Sequence, residues 1–446
     1  MSQKRTLLAV ATLSLACAGT PGLASEKTVF VPITLVRGVP VPCATDDRAT
    51  CHNRWHPEIP VPKGATANPG DRIVFQTRDA FDNQFNRTST ATTVAGANLN
   101  RVHPLTGPVF INGAEPGDVL AVTIEKIEPG PDRFGYTVIV PGFGFLRDVF
   151  PDPFIVKWDL QGSEPGSMRA VSRDMPGVSI PMNGFTGTIG VALGLAETKA
   201  AFDREQQLLD AGGFVLPPQP NDAVPAGLCG PKGTADAAHP CLRTIPPREN
   251  GGNMDVKQMI AGTTLLFPCF VKGCLLSTGD VHFAQGDGEV SGTAIEMNAV
   301  VTVKVKVRKG GVALGVRQTE IEGKKVPSLL KKLEPERFLA TTGIPLKKPG
   351  VNTPQEFIDG TLRALSNVSE DVTLAARDAL LNMIDLLTGP RSPAPVRLSP
   401  PQAYVLSSVA VDLRISNLVD VPNFLVTAIL PLDVFKSERK RDDDDD

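Results

Sequence analysis

The sequence predicts a mainly β (α+β) fold, with β-sandwich-like antiparallel sheets and a few packing helices near the C-terminus. The 41 glycines and 40 prolines exceed the average usage of about 7% and 5%, which indicates many short strands joined by turns. Two long segments alternate between apolar and polar residues, as half-buried strands do. The two clear helical patterns lie near the C-terminal end.

The alternating segments predict strands of an antiparallel sheet. The first is VLAVTIEKIEP, from Val119 to Pro129, and the second is AVVTVKVKVRKGG, from Ala299 to Gly311. In the second segment the valines at every other position share one face, and threonine, lysine and arginine side chains share the other. One face is therefore expected to pack on the core and the other to meet solvent.

The helical patterns predict a pair of packing helices over residues 369–415. The first runs from Ser369 to Leu387, with the serine as its cap, acidic residues in its first turn and a Gly-Pro stop after it. The second begins at Pro400, behind Ser399, and extends to about Ile415. Neither helix carries a pattern of chemically active residues.

The rest of the chain divides into one domain and three unusual segments. A length of 446 residues with 41% hydrophobic residues allows a large core over residues 25–435. Residues 209–247 are rich in proline and glycine and lack periodicity, which predicts a surface excursion. Residues 436–446 form a charged tail that requires no function.

The charge balance excludes one class of partner. The formal net charge is −3, the pI is near 6.0 and the basic residues are scattered. Such a chain has no basic field for a phosphate backbone, so nucleic-acid binding is not expected. No transmembrane segment is expected in the mature chain, and the sequence is compatible with a homo-oligomer.

Residues 1–24 have the layout of a secretory signal peptide. Two basic residues precede an apolar run from Leu7 to Ala18, and small residues lead to a cleavage position near Ala24. The run is shorter than the roughly 20 residues that a membrane span needs. The protein is therefore expected to be exported, either periplasmic or secreted, with a lipoprotein anchored at Cys17 as the alternative.

The cysteines fit an exported protein. Apart from Cys17, six cysteines fall into close pairs, and an even, locally paired set in an oxidising compartment indicates disulfides. The expected bridges are Cys43–Cys51, Cys229–Cys241 and Cys269–Cys274. The last pair encloses four residues with a glycine between two apolar runs, which predicts a hairpin with the bridge at its base.

The stretch STGDVHFAQGDGEVSGTAIE, from Ser277 to Glu296, concentrates polar ligand chemistry. Asp280 and His282 are two residues apart, as are Asp287 and Glu289, so each pair projects from one face of an extended backbone. The turn between them could fold the pairs together. Carboxylates with an imidazole suit a divalent metal, Zn²⁺ foremost. The alternative is a glycine-rich hairpin with solvent-facing acids.

Two further stretches add candidate ligands. In CHNRWHPEIP, prolines exclude a helix, so a loop presents His52, His56 or both. In PPRENGGNMD, the pair Gly251–Gly252 allows close backbone approach to a ligand, with Asn253 and Asp255 beside it. The isolated histidines 103 and 239 are expected to be structural.

These stretches resemble the acetamidase/formamidase family. The resemblance rests on PPRENGGNMD, GDVHFAQGDGEVSGTAIE, HPLTGPVFINGAEPGDVL, HNRWHPEIP and DLRISNLVDVPN. It runs in order from about residue 50 to 435. It implies a β-rich fold and hydrolysis of a short linear amide to carboxylate and ammonia. Neither a Gly-Gly-Ser-Ser stretch nor a Cys-Trp-Glu nucleophile occurs, so the chemistry of other amidases is not expected.

The expected metal site follows from these residues together. Asp280, His282 and Asp255, with His52, are expected to hold a divalent metal whose bound water attacks the amide carbonyl. In a second reading the chain is an exported, non-catalytic β-protein that uses Ca²⁺ to clamp loops. Its oxygen ligands would then be Asp287, Glu289 and Glu296.

Proton transfer and oxyanion stabilisation are assigned to neighbouring groups. Glu289 is the preferred general base, and Asp287 is the alternate. The side chain of Asn253, or the backbone N–H groups of Gly251 and Gly252, would stabilise the oxyanion.

The sequence departs from the family pattern beside His282. Where the family tends to read GDGHAAQGDGEVCGTAIE, this chain has Val281, Phe283 and Ser291 in place of Gly, Ala and Cys. The larger side chains are expected to reshape the substrate pocket, and Phe283 is expected to narrow it.

Overall fold

The structure is a computed structural model that describes residues 26–435. It omits residues 47, 165, 213–215, 217–221, 230–237, 314, 317, 324–336, 344–370 and 418–424. The signal-peptide segment and the charged tail therefore lie outside the described residues. Within the described ranges, no helix has both the length and the apolar character required to cross a membrane.

Strands make up most of the regular structure. They are β1 Thr28–Val31, β2 Leu35–Val36, β3 Val39–Pro40, β4 Cys51–His52, β5 Arg54–Trp55, β6 Thr66–Ala67, β7 Arg72–Thr77, β8 Leu105–Ile111, β9 Val119–Pro129, β10 Phe134–Ile139, β11 Phe154–Gln161, β12 Arg169–Val171, β13 Ser179–Pro181, β14 Phe185–Gly190, β15 Leu242–Arg243, β16 Gly251–Asn253, β17 Thr264–Pro268, β18 Leu276–His282, β19 Glu296–Met297, β20 Ala299–Arg308, β21 Glu320–Glu322, β22 Phe338–Gly343, β23 Asp412–Asn417 and β24 Leu425–Pro431. The α-helices are α1 Ala91–Ala95, α2 Leu195–Asp210, α3 Val372–Thr388 and α4 Pro400–Ala410.

Two large sheets carry the core. One has six strands in the order β1-β7-β20-β9-β17-β21. The other has eleven, with the main path β13-β12-β11-β10-β19-β18-β14-β16. Apart from the parallel pairs β1–β7 and β6–β8, the pairing is antiparallel. Apolar side chains of both sheets, such as Val301 and Leu276, belong to one buried cluster. The predicted mainly β, sandwich-like fold is confirmed.

Both alternating segments form the predicted strands. β9 spans Val119–Pro129, and β20 begins at Ala299 and pairs with both β7 and β9. In β20 the valines at 301, 303 and 305 are buried while the alternate polar residues are partly or fully exposed. The alternation predicted this strand correctly because one face of the sheet packs on the core.

The C-terminal helices form, with different ends. Asp371 caps α3 by accepting a hydrogen bond from the Thr373 backbone N–H at 2.7 Å, and the predicted cap Ser369 lies outside the described residues. A capping box at Ser399 begins α4, as expected. The predicted extension to Ile415 is wrong, because the chain turns into β23, whose backbone pairs with β24.

The segment 209–247 begins in the last turn of α2, a helix that its weak apolar pattern did not predict. Strand β15 pairs with β5, so this segment contributes to a small sheet. Cys229, Cys241 and Leu242 are buried with Trp55 and Phe202. The described part of the segment therefore lies partly in a satellite core as well as at the surface.

All three expected disulfides are present. Their Cα–Cα separations are 5.6 Å for Cys43–Cys51, 5.3 Å for Cys229–Cys241 and 4.9 Å for Cys269–Cys274. The hairpin expected around the last bridge is wrong. β17 pairs with β9 in the six-stranded sheet, whereas β18 pairs with β8, β14 and β19 in the other. The bridge closes the turn at which the chain changes sheets.

Candidate active site

Three strands of the eleven-stranded sheet and the loop after β18 assemble a cluster of acidic side chains around one histidine. Asp280 and His282 lie at the end of β18, and Glu296 opposes His282 on β19. Asp255 follows β16, and Glu289 lies in the loop after β18. We call these five residues the carboxylate–histidine cluster. The sheet thus brings together residues up to 41 positions apart (296 − 255).

The Nε2 atom of His282 lies at the centre of the cluster. It is 3.3 Å from Asp280 Oδ1, 3.3 Å from Glu296 Oε2, 3.9 Å from Glu289 Oε1 and 4.0 Å from Asp255 Oδ1. The ring of His282 is held edge-on against Phe185, with centroids 5.0 Å apart. The side chains of His282, Asp280 and Glu296 are only 1–2% exposed.

Three cluster residues have a left-handed backbone. The φ angles are 50° at Asp255, 51° at Asp280 and 42° at Glu289. For a residue with a side chain, such a sparsely populated conformation costs about 1–3 kcal/mol and persists only where the surroundings enforce it. Its occurrence at three members of one cluster indicates that side-chain placement is maintained here against local backbone preference.

The loops that carry Asp255 and Glu289 are tied to the scaffold by backbone contacts. The backbone N–H of Met254 donates to the Gly187 carbonyl at 3.0 Å, which holds the Asp255 loop against β14. Gly286, in the loop of Glu289, donates its N–H to Ser408 O of α4 at 2.9 Å. A Cβ atom at Gly286 would collide with the Val411 carbonyl, so glycine allows this close approach.

Gly187 leaves room for the cluster itself. A Cβ atom built at this position would lie 2.6 Å from Asp255 Oδ1, 2.7 Å from His282 Cε1 and 2.8 Å from Asp280 Oδ2. These separations are below van der Waals contact, and all three groups belong to the site. The missing side chain on β14 is therefore a requirement of the cluster's geometry.

Burial and crowding set the protonation of the cluster. Burial raises the pKa of Asp255 and of Glu296 to about 7, and burial with neighbouring carboxylates holds the pKa of Glu289 well above its usual value. Burial opposes ionisation of Asp280 too, but two nearby histidines hold its pKa below its usual value. Burial acts to lower the pKa of His282, and the adjoining carboxylates raise it well above its usual range.

The donor set fits a divalent cation. Two groups of three have ligand atoms within 4.8 Å of one another: Asp255 with Asp280 and His282, and His282 with Glu289 and Glu296. Within the described part of the chain, Asp255 Oδ1 and His282 Nδ1 are buried without a hydrogen-bond partner. A dication would offset the charge of these carboxylates, of which Asp280 and Glu296 are buried, and carboxylate and imidazole are both common ligands of such ions.

The cluster opens into a pocket. The empty space has a volume of about 550 Å³, including the part open to solvent. Asp280, Glu289, Glu296, Asn253 and His103 form its polar end. The other lining side chains are mostly apolar. A concave apolar pocket with a few convergent polar groups is the usual form of a small-molecule site.

His103 was expected to be structural, but the structure places it in this pocket. Its Nδ1 is 3.6 Å from Asp280 Oδ2 and 3.4 Å from the Thr188 hydroxyl oxygen. Thr188 also donates to Asn253 Oδ1 at 2.6 Å, or to Asp280 Oδ2 at 3.0 Å. An isolated histidine, 177 positions before Asp280 (280 − 103), carries no local signal of this proximity.

His52 was expected among the metal ligands, and the structure does not bring it to the cluster. Its Nδ1 is 2.8 Å from the Arg54 carbonyl and its Nε2 is 2.8 Å from the Ser277 hydroxyl. The two ring nitrogens therefore contact β5 and β18 and do not face the cluster. Burial lowers the pKa of His52 to about 4, which suits a neutral structural imidazole. His239 is exposed at the surface.

Asp287 is likewise separate from the cluster. Its Oδ2 is 3.6 Å from Lys257 Nζ, and its backbone N–H donates to Asp412 Oδ1 at 3.1 Å. Asp287 and Glu289 are two positions apart in the loop and point in different directions. Glu289 reaches His282, whereas Asp287 lies beside the ion pair of Lys257 and Asp412. The calcium-clamp set of Asp287, Glu289 and Glu296 is therefore not assembled.

Phe283 and the pair Gly251–Gly252 were expected to contact the substrate, but the structure places none of them in the pocket. Phe283 is fully buried in the main core, because it points to the opposite face of the sheet from His282. A Cβ at Gly251 would lie 2.6 Å from the Ile189 carbonyl, so this glycine permits close strand pairing. The Gly251 N–H donates to Arg248 O. Neither Gly252 nor Gly251 lines the pocket, whereas Asn253 does.

The fold and site define a mainly β enzyme with a buried carboxylate–histidine centre at the base of an apolar pocket. The model of the acetamidase/formamidase family matches residues 41–437. The chain belongs to this family, and it is therefore an amidase-type hydrolase of linear amides.

Individual relatives agree with the family match. An acetamidase from Mycolicibacterium smegmatis is 34% identical over 359 residues, covering 77% of this chain and 82% of that protein. A formamidase from Methylophilus methylotrophus is 31% identical over 397 residues, covering 86% and 89%. A γ-lactamase structure from Delftia acidovorans has a TM-score of 0.74 and 31% identity, covering 92% and 94%.

Proposed function

We propose that the protein is an exported amidase that hydrolyses the C–N bond of a linear amide to a carboxylate and ammonia at the carboxylate–histidine cluster, with a divalent metal ion. Zn²⁺ is the first candidate ion and Ca²⁺ the alternative. The observation that carries the proposal is the convergence of four carboxylates on His282 Nε2 at the base of a pocket. The acetamidase and formamidase among the relatives support linear amides as substrates.

Asp255, Asp280 and His282 would hold the ion, and Glu296 is the neighbouring carboxylate that completes its surroundings. When bound, such an ion lowers the pKa of a water molecule to near neutrality and polarises a carbonyl oxygen. The Thr188 hydroxyl oxygen also lies 3.0 Å from Asp280 Oδ2, but its single proton makes the shorter contact, with Asn253 Oδ1.

Glu289 is the group placed to move protons. Its side chain is 17% exposed and lines the pocket, whereas Glu296 is 2% exposed. As general base, Glu289 would accept a proton from water while the water oxygen bonds to the amide carbon. The same proton would then pass to the amine nitrogen as the C–N bond breaks and ammonia leaves.

Asn253 is the polar side chain placed to hold the carbonyl oxygen. Its Oδ1 accepts a hydrogen bond from Thr188, which fixes the amide and leaves its NH₂ group as a donor. The Asn253 side chain acts to lower the pKa of the neighbouring Asp255, and its NH₂ group can donate to an oxygen that gains negative charge. A fixed donor of this kind stabilises the transition state of acyl transfer.

A matched pair of variants tests the assignment of the base. Ammonia release from formamide and acetamide should be lost in Glu289→Gln and retained in Asp287→Asn, because only Glu289 reaches the cluster. Both variants replace a carboxylate by an amide in the same loop, so a folding effect common to both cancels. Full activity of Glu289→Gln would refute the proposed base, and loss of activity in Asp287→Asn would return that role to Asp287.

A second candidate substrate is a γ-lactam, because the structure with a TM-score of 0.74 to this chain is a γ-lactamase. The two reactions differ in their products. Hydrolysis of a linear primary amide releases ammonia, whereas opening of a lactam ring yields a single amino acid and no ammonia. Parallel measurement of ammonia and of lactam consumption therefore distinguishes the two substrates.

Export is supported by the three disulfides of the described chain, which are typical of oxidising compartments. Mature protein recovered from the periplasm or medium should begin near Ser25. N-terminal sequencing and thiol titration provide the test. A cytoplasmic protein with an intact residue 1 and free thiols at Cys269 and Cys274 would overturn export.

A further inference from the structure

The pocket beside the cluster has an apolar wall in addition to its polar end. Three segments of the chain supply most of its apolar lining, and Leu216 and Ile245 complete it. The six residues of the three segments, which form the apolar wall, are Ala80, Phe81, Leu99, Val102, Val140 and Phe143. The cavity volume of the pocket is about 100 Å³, and the empty space reaches about 550 Å³ when the part open to solvent is included.

The wall is preformed. Phe81 packs against Phe85 and Tyr136, with ring centroids 5.0 Å and 6.2 Å away. Its backbone N–H donates to Asp79 Oδ1 at 2.9 Å, and the Tyr136 hydroxyl donates to the same oxygen at 2.7 Å. Phe81 is 4% exposed. These contacts fix the position of Phe81, so this part of the wall is formed before a ligand binds.

The two ends of the pocket differ in chemistry. The polar end supplies carboxylates, an imidazole and an amide, which are the groups that act on an amide function. The six wall residues carry no charge and no polar side chain. An acidic substrate would be repelled by the cluster, and a substrate with a basic tail would find no partner along the wall. The complementary molecule has an amide at one end and an apolar body.

We propose that the substrate class of this enzyme is primary amides with a branched or aromatic acyl group of several carbons. The inference rests on the proposed amidase function and specifies its substrate. The amide lies at the carboxylate–histidine cluster and the acyl group contacts the apolar wall. One methylene in a hydrophobic pocket is worth about 10- to 200-fold in specificity, so a body of several carbons should dominate substrate choice.

The test compares kcat/KM for formamide, acetamide, propionamide, isobutyramide and phenylacetamide, with ammonia as the common product. We expect kcat/KM for phenylacetamide or isobutyramide to exceed that for acetamide at least tenfold. A preference for acetamide or formamide would overturn the inference while leaving the amidase function in place. Absence of ammonia from every amide would overturn both.

Variants of the wall test the same claim independently. Leu99 and Phe143 are partly exposed, so their truncation should leave the fold intact. Leu99→Ala and Phe143→Ala should each lower the ratio of kcat/KM for phenylacetamide to that for acetamide at least tenfold. Leu208→Ala, which truncates a leucine 53% exposed on α2, is the matched control and should leave the ratio unchanged. Equal ratios in all three variants and the wild type would contradict the proposed acyl site.

Discussion

At the scale of single residues, the site depends on glycine as much as on its charged groups. Gly187 is the clearest example, because three cluster groups occupy the space that a methyl group would take. The residue shows no chemical function in the sequence. Its importance becomes visible only when β14 is placed beside β18.

Substitution of Gly187 should therefore abolish activity. Gly187→Ala places a methyl group within 2.6 Å of Asp255 Oδ1, and the cluster must shift to accept it. Displacement of catalytic groups by about 1 Å can lower rates by about 100-fold. The measurement is kcat/KM for amide hydrolysis, with Gly166→Ala as control, since a methyl group there meets nothing within 4 Å. Equal activity of both variants would contradict the packed cluster geometry.

Phe283 should affect stability and leave the preference between small amides unchanged. The ring lies just after β18 and is fully buried in the main core, and Phe→Ala changes in cores typically cost about 3–5 kcal/mol. We expect Phe283→Ala to lower the free energy of unfolding by that amount, measured by denaturant titration. The ratio of acetamide to formamide turnover should stay the same. A changed ratio with unchanged stability would restore Phe283 to the substrate pocket.

Asp79 should make stability depend on pH. Burial raises its pKa from 3.8 to about 7, with Tyr136 and backbone N–H groups acting in the opposite direction. A raised pKa means that the folded state favours the protonated form. Its contribution to stability is full below about pH 4 and is lost as the pH rises through 7, at most about 1.4 kcal/mol per pH unit.

The Asp79→Asn variant provides the comparison. Its amide cannot ionise, so the decline in unfolding free energy between pH 4 and 7 should be smaller than in the wild type. Denaturant midpoints at several pH values give the measurement. Identical pH profiles of the two proteins would show that Asp79 does not titrate as described.

Several site residues could be predicted from the sequence because they are close together in it. Asp280 and His282 share a strand, and Glu289 follows in a glycine-rich loop. His103 could not be predicted, because only the pairing of β8 with β18 brings its segment to the cluster. His52 was placed wrongly because a histidine in a polar loop looks the same whether its nitrogens face a metal or neighbouring strands.

At the scale of elements, strands with one buried face were predictable and connections were not. β9 and β20 follow directly from period-two alternation. The end of α4 was not predictable, because the order of apolar and polar residues at positions 411–415 suits a helix as well as a strand. Pairing with β24 decides the outcome in favour of a strand. The turn between β17 and β18 was similarly ambiguous, since local sequence does not state which sheet each strand joins.

The Cys269–Cys274 bridge should contribute modestly to global stability. The two cysteines are five positions apart. In the chain-entropy model, a disulfide that closes a 15-residue loop stabilises the folded state by about 3 kcal/mol. The double variant Cys269→Ser/Cys274→Ser should therefore lose less than 3 kcal/mol in unfolding free energy.

The larger effect should appear in the amidase rate, because β18 begins two residues after the bridge and carries Asp280 and His282. The corresponding double serine variant at Cys229 and Cys241, remote from β18 in sequence, is the control. A loss of stability above 3 kcal/mol without a change in rate would contradict this role.

At the scale of the whole molecule, two sheets around one core provide a rigid frame that gathers distant segments at one site. Hydrophobic composition and alternation predicted this class of architecture, but not the order of strands. That order depends on pairings such as β14 with β16 and β18, which join segments widely separated in the chain. The cluster is thus a product of topology, because its carboxylates and His282 come from separate segments of the chain.

The most direct test of the account is amide hydrolysis before and after removal of metal from the same preparation. The metal content is measured by elemental analysis, and ammonia release by a coupled assay. We expect a chelator to remove a divalent ion and abolish ammonia release, and Zn²⁺ to restore it. Full activity in protein shown to be metal-free would contradict the account. So would retained calcium with no turnover of any amide and unchanged melting after zinc removal.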